Sequence, residues 1–321
     1  MSGKARNAEA ARSIRDFGAA GDDGAKGHYE DPAYYAKTYK DRRHDIDYYV
    51  RLARQSKGPV LEYGVGNGRI ALHVARAGIE IYGVDLSKPM LADFEKRLQL
   101  EPKQVRGRVS LAHGDMRTYA LGKRVPLVYA PFNCFLHLYT RPDVEAFLAR
   151  VKAHLAPGGR FVFDFSVPHG EDLSRDPERS YGSPKIRHPT TGELVKYAER
   201  FEYDRLRQLL LIWMEFEPEE GGKPWKVPLT HRQFFPREVE ALLHYNGFSE
   251  IFFTADFTDQ PADQWVDSMV VSCRVAPAAP ARKTSLVSRT RLLASGKMAR
   301  TVKTAAKSKA AAKAKTRVRP A

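Results

Sequence analysis

The residues Val60-Leu-Glu-Tyr-Gly-Val-Gly-Asn-Gly-Arg-Ile70 join an apolar strand bearing one carboxylate to three glycines at alternate positions, and then to the start of a helix. Gly64, Gly66 and Gly68 lack a Cβ, so the turn can take positive φ and its backbone can approach a ligand closely. Such a turn suits a nucleotide cofactor. Glu62 narrows the choice, because a dinucleotide pyrophosphate disfavours an anion near the helix N-terminus, whereas a ligand with a cationic amino group favours one. The spacing differs too: a dinucleotide fingerprint reads G-x-G-x-x-G, while this chain reads G-x-G-x-G with Arg69 in the last slot. Both features point away from a nicotinamide dinucleotide and toward S-adenosylmethionine, which carries an ammonium, a sulfonium and an adenosine.

The elements around this turn supply the rest of such a site. Ile70 to Ala77 has helical periodicity and stops at Gly78, and Ile79 to Val84 is a second apolar strand ending at Asp85. Asp85 lies twenty-one residues past Gly64, close to the spacing of about twenty for an acid that takes ribose hydroxyls in a βαβ unit. A helical stretch from Lys88 to Leu100 leads to a third strand, Val105 to Ala112, which runs into Gly114-Asp-Met-Arg117. Asp115 there can accept from an adenine amino group while Met116 packs on the ring.

The motifs EYGVGNG, GVDLSKPML and HGDMRTYAL, in this order, resemble the successive motifs of class I S-adenosylmethionine-dependent methyltransferases over roughly residues 30 to 275. The resemblance implies that Glu62, Gly64, Gly66 and Gly68 hold the methionine moiety, that Asp85 holds the ribose, and that Asp115 with Met116 reads adenine. GDMRTYALGKR followed by VYAPFNCFLHL is also similar to small-molecule N-methyltransferases acting on amino sugars or glycine-like amines. It implies a Rossmann-like, doubly wound α/β sheet of seven strands in the order 3-2-1-4-5-7-6, the last strand antiparallel. The remaining elements fit: a strand at Pro126–Ala130, a helix at Asp143–Leu155, a turn at Ala156–Gly159, a strand at Arg160–Phe165, a helix at Pro236–Tyr245, and strands at Phe248–Phe253 and Met269–Val275. Ligands in such sheets bind outside the carboxyl ends of the strands, at the reversal of strand order.

Residues 170 to 232 break the alternation. Val195–Tyr203, Leu206–Phe216 and Trp225–His231 read as antiparallel strands joined by turns. They form either a lid or wall over the acceptor pocket or a dimerisation sheet. Arg200, Arg205, Arg207 and Arg232 are candidate readers of an acceptor there.

Methyl transfer from a sulfonium is an in-line displacement, so positioning and exclusion of water supply much of the catalysis. An amine acceptor must also lose a proton, which a neutral imidazole can take. His137, seven residues past the fourth strand, is the candidate, resembling a His in the amino-sugar enzymes; the alternative is a His packed on the helix that follows. His231 can reach the acceptor from the insertion, while His73 and His154 read as surface residues on helices. The fourth strand ends in Ala130-Pro-Phe-Asn, where amino-base DNA methylases and glutamine methylases carry (Asp/Asn)-Pro-Pro-(Tyr/Phe); the departure argues against both, and Pro131 joins the donor-site candidates. An aromatic and polar helix from Tyr29 to Ala53 precedes the first strand. Tyr39 and Arg43 are its candidate cofactor contacts, against a reading in which its tyrosines are simply a packed face.

The chain has 321 residues, 43% of them apolar, and no apolar run near the length of about 18 that spans a bilayer. Residues 1–28 read as a flexible segment without the apolar core of a signal peptide. With two cysteines, neither a disulfide framework nor a four-ligand zinc site is expected, and a cytoplasmic location is the expectation. The net charge of +15 is concentrated: residues 276–321 hold thirteen Lys or Arg and no acid, leaving 40 basic against 38 acidic residues elsewhere. That Lys/Ala-rich tail resembles the tails of linker-histone-like proteins and reads as disordered, either contacting nucleic acid non-specifically through counterion release or serving as a solubilising extension. Three functions follow: a methyltransferase for a small-molecule acceptor, foremost an amine; one for a protein or nucleic acid recruited by the tail; or a cofactor-binding scaffold. The complete donor-site set weighs against the scaffold. Neither the acceptor nor the oligomeric state is written in the residues.

Overall fold

The computed structural model describes residues 23–182 and 185–277. Seven strands form one sheet: β1 (Val60–Tyr63), β2 (Ile81–Asp85), β3 (Val109–His113), β4 (Val125–Ala130), β5 (Leu155–Ser166), β11 (Phe248–Ala255) and β12 (Ser268–Val275). Their order is β3-β2-β1-β4-β5-β12-β11. β1 to β5 pair in parallel, and β12 runs antiparallel to β5. This is the expected seven-stranded order with its reversed last strand.

Alternation along the strands builds two apolar layers, since successive side chains point to opposite faces. Leu61, Tyr63, Val128, Phe161, Phe163 and Phe165 join one core with Phe147 and Leu243. Val60, Ile81, Leu127, Tyr129 and Val162 join the other with Leu52, Val74 and Phe94. The first core is covered by helices Arg141–His154 and Pro236–Tyr245, the second by helices His44–Gln55, Ala71–Arg76 and Lys88–Gln99.

A second sheet fills the insertion, with strands β8 (Leu194–Asp204), β9 (Leu209–Pro218) and β10 (Trp225–Arg232) paired antiparallel, and the two-residue strands β6 (Tyr181–Gly182) and β7 (Ile186–Arg187) on β8.

Several local expectations are corrected. The third strand starts at Val109, because Pro102 opens a helical turn over Lys103–Arg106 that buries Val105. Residues 156–159 are absorbed into β5, with a register shift against β4 between Val125 and Leu127. β9 starts at Leu209, since Asp204 accepts from the backbone N–H of Leu206 and Arg207 and closes a turn there. The stretch Tyr29–Ala53 is two helices, Pro32–Thr38 and His44–Gln55; Asp31 caps the first by accepting from the Tyr34 N–H. His154 is buried, not a surface residue: the Leu121 N–H donates to its Nε2 at 3.0 Å and the Tyr63 hydroxyl lies 2.8 Å from its Nδ1. Residues 23–28, expected within a flexible segment, form the helical turn α1 (Asp23–Lys26) and part of a 3-10 turn, Gly27–Tyr29. Ala25 and His28 are buried. Residues 1–22 and the basic tail from 278 onward lie outside the described residues.

Candidate functional site

The glycine turn after β1 is set by backbone geometry. Gly64 and Gly68 have φ of +66° and +77°, a region that side chains with a Cβ rarely adopt. Space is as restrictive as torsion: a Cβ on Gly68 would lie 2.4 Å from the Phe94 ring, and one on Gly64 would lie 2.7 Å from the Cys134 Sγ. The turn is tied to β2 by two hydrogen bonds, Val65 N–H to the Val84 carbonyl at 3.1 Å and Gly66 N–H to Asp85 Oδ2 at 2.7 Å. Asp85 Oδ1 accepts from the Ser87 N–H at 2.7 Å. Burial raises the Asp85 pKa, and the Ser87 and Gly66 N–H groups counter it.

At the carboxyl ends of β1, β2, β3 and β4 lies a cavity of about 580 Å³, within the range of about 300–1,000 Å³ for small-ligand sites. Its wall brings together Gly64, Gly66, Asp85, Asp115, Met116, Pro131 and His137 from the sequence-derived set. Asp115 is bound by Arg117: burial pushes its pKa up, but the Arg117 guanidinium and backbone N–H hold it below the usual carboxylate range.

Four of the expected cofactor contacts stand elsewhere. Glu62 is buried at 2% exposure, off the lining, with the Tyr129 hydroxyl donating to its Oε2 at 3.0 Å. Burial pushes its pKa up to about 8, against the pull of Tyr129 and Arg69. Gly68 packs under Phe94. Tyr39 lies behind the wall, its ring 4.8 Å from that of Phe132 and its hydroxyl 3.3 Å from His28 Nε2. Arg43 is exposed, and it is Arg42 that lies over the Phe132 ring.

The residues fit an adenosyl sulfonium donor on grounds internal to the cleft: a half-buried acid at the end of β2, apolar flanks from Val84, Met90 and Met116, and a second acid after β3.

His137 sits on a 3-10 turn, Cys134–His137, that follows a left-handed Phe132–Asn133 pair. Its Nε2 lies 2.9 Å from the Tyr29 hydroxyl and its Nδ1 3.5 Å from that of Tyr139. The Tyr139 hydroxyl donates to the Thr230 carbonyl at 3.2 Å. That direction assigns the proton to Nδ1 and leaves Nε2 to accept from Tyr29. Burial, reinforced by nearby His28, pushes the His137 pKa down to about 4, so the ring is neutral at physiological pH. His231 packs its ring 5.2 Å from His137 and is not on the cavity wall.

The far wall comes from the N-terminal strap, residues 23–30. Lys26, Tyr29 and Glu30 line the cavity, and the Ser87 hydroxyl donates to the Tyr29 carbonyl at 2.9 Å. Gly24 meets Thr230, and Gly27 meets Val227 and Pro228 of β10. The insertion therefore backs the strap and carries Tyr139, while none of its described residues lines the cavity. Tyr29 and Tyr139 escaped the sequence analysis as site residues. Tyr29 stood within the aromatic stretch already noted, but nothing in its spacing aims it at His137, 108 positions away.

Residues 60–159 match a family model described as a methyltransferase domain. Among curated proteins, the chain is 31% identical over 128 residues to dTDP-3-amino-3,6-dideoxy-alpha-D-glucopyranose N,N-dimethyltransferase of Streptomyces fradiae, covering 40% of this chain and 47% of the relative. It is 29% identical, also over 128 residues, to dTDP-3-amino-3,4,6-trideoxy-alpha-D-glucopyranose N,N-dimethyltransferase of Streptomyces venezuelae, covering 40% and 51%. The chain thus spans about half the length of the curated relatives it matches. Among solved structures, the CcbJ methyltransferase of Streptomyces caelestis superposes with a TM-score of 0.60 at 26% identity, covering 73% of this chain and 94% of that one. The motif order, the sheet with its reversed last strand, the acid-lined cleft and these matches agree in what the chain is similar to: the class I S-adenosylmethionine-dependent methyltransferases.

Proposed function

We propose that the protein transfers a methyl group from S-adenosylmethionine to the nitrogen of a small-molecule amine. The observation that carries this reading is the Tyr29–His137 hydrogen bond in the wall of the donor cleft itself. Two relatives named as amino-sugar N,N-dimethyltransferases support the same class of acceptor. S-adenosylmethionine supplies an electrophilic methyl group on a sulfonium. The chain's part is to hold both reactants and keep water out.

Asp85 is placed to accept from ribose hydroxyls, and Asp115 and Met116 to take the adenine. At the other end, the Tyr29 hydroxyl donates its hydrogen to His137 Nε2, so its lone pairs can accept from an amine N–H. That contact aims the nitrogen lone pair into the cleft. An imidazole with a pKa near 4 does not retain a proton at neutral pH. The pair therefore orients a neutral amine, and the methylated ammonium carries its proton out to bulk solvent on release.

The test is incubation of the protein with a metabolite extract and methyl-labelled S-adenosylmethionine, followed by mass identification of labelled products. A labelled small-molecule amine is the expected result. Label found only in macromolecules overturns the acceptor class.

A further inference from the structure

Behind the cleft wall runs a line of buried polar groups that donor recognition does not call for. The Tyr129 hydroxyl donates to Glu62, and the Tyr129 ring stacks on Tyr49 at 5.0 Å between centroids. The Tyr49 hydroxyl donates to Asp164 Oδ1 at 2.6 Å. Asp164, near the end of β5 and 1% exposed, also accepts the Phe132 N–H on both carboxylate oxygens, at 2.9 and 3.0 Å.

What this carboxylate restrains is unusual backbone. Phe132 and Asn133 have φ of +55° and +62°, a conformation that residues other than glycine keep only where their surroundings impose it. Asn133 is fastened as well: its Oδ1 accepts from the Ser166 N–H at 2.7 Å and its Nδ2 donates to the Ser166 hydroxyl at 3.2 Å. The end of β5 therefore grips two consecutive left-handed residues. The Phe132 ring is in turn covered by the Arg42 and Arg69 guanidiniums at 4.7 and 4.8 Å. Pro131, Phe132 and Cys134 all line the cavity.

We propose that Asp164 is a positioning residue for the methyl-transfer site: its carboxylate, fixed from behind by Tyr49, holds the left-handed turn after β4 so that Pro131 and Phe132 shape the cleft wall beside His137. The assignment rests on the methyltransferase reading above. A carboxylate suits the task where an amide does not, since it accepts from both Tyr49 and Phe132 and brings no donor of its own. An asparagine would leave a buried N–H without an acceptor facing one of those two donors, which costs its desolvation.

Hydrogen–deuterium exchange and calorimetry with S-adenosylhomocysteine, on the full chain and its Asp164→Asn and Asn133→Ala variants, test the proposal. Asp164→Asn is expected to speed exchange over residues 131–137 roughly tenfold, to leave residues 60–63 unchanged, and to weaken S-adenosylhomocysteine by about tenfold, as a local opening would. Asn133→Ala, with Asp164 intact, gives a smaller change of the same pattern. If Asp164→Asn does not fold, Tyr49→Phe, which removes one donor to the carboxylate, is expected to show that local pattern. Exchange that is unchanged, or that rises equally in both segments, overturns the proposal, as does unaltered affinity where the unsubstituted chain binds S-adenosylhomocysteine. Failure of the unsubstituted chain to bind it would instead sink the methyltransferase reading, while the exchange comparison still decides whether Asp164 holds the turn.

Discussion

At the scale of single residues, the sequence located cleft-lining positions where a motif tied a residue to a strand end, and missed them where three-dimensional neighbours set the contact. Asp85 and Asp115 were legible because each closes a strand. Tyr29 was not, because its partner His137 is reached through the strap and not through any spacing. His137 itself lines the cleft as expected, but burial makes it a weak base. Replacing it with alanine is expected to lower turnover well over tenfold, roughly the scale of a lost orienting or proton-transfer group, with S-adenosylmethionine affinity nearly unchanged by calorimetry. Because the imidazole is already neutral, the pH–rate profile of the unsubstituted protein should follow the acceptor's own ionisation and show no step near the ordinary histidine pKa. Glu62 yields a stability prediction. Its pKa is raised to about 8 by burial, so the native state keeps a proton that the unfolded chain releases, and stability falls as pH rises. Asp164, raised to about 6, adds the same sign at lower pH. Above about pH 7, where the buried histidines with lowered pKa no longer add stability, thermal melts should therefore show a Tm that falls toward about pH 8, and Glu62→Gln should flatten that fall, as expected from linkage. A rising Tm over the same interval would contradict the assignment.

At the scale of elements, the parallel core was readable because each βα unit punctuates itself with glycine or a capping residue. Ser87 caps helix Lys88–Gln99 by accepting from the Met90 N–H, and Thr140 with Asp143 forms a reciprocal capping box. Boundaries slipped where a turn replaced a strand end, as at Pro102 and Asp204. The role of the insertion was half legible: its strands alternate clearly, but what they support depends on the strap, whose helical turn α1 is only four residues long. Deleting residues 1–30 removes Lys26, Tyr29 and Glu30 from the wall and uncovers the apolar patch of Leu229, Met214 and Phe216 that Ala25 covers. The truncated protein is expected to bind S-adenosylhomocysteine more than about tenfold more weakly, and to be cut faster by protease within residues 194–232, where cover is lost. Equal affinity and equal cleavage would show the strap to be dispensable.

At the scale of the whole molecule, charge is the feature that sequence alone carries. Residues 276–321 hold thirteen cations and no acid, and all thirteen cations lie outside the described residues. Filter binding to duplex DNA should show affinity for the full chain that drops steeply with salt, as counterion release requires, and little affinity for residues 1–277. Identical behaviour of the two would leave the tail as a solubilising extension. The strap bears on how the molecule is made. Gly24 rests against Thr230, a partner synthesised roughly two hundred residues later, and contacts so far apart in the chain close late because the intervening loop must first be ordered. During translation, then, the donor platform from β1 to β4 can assemble while its front wall is still unanchored. The cleft wall formed by residues 26–30 is complete only when the hairpin strand Trp225–Arg232 leaves the ribosome and gives that early segment something to dock on.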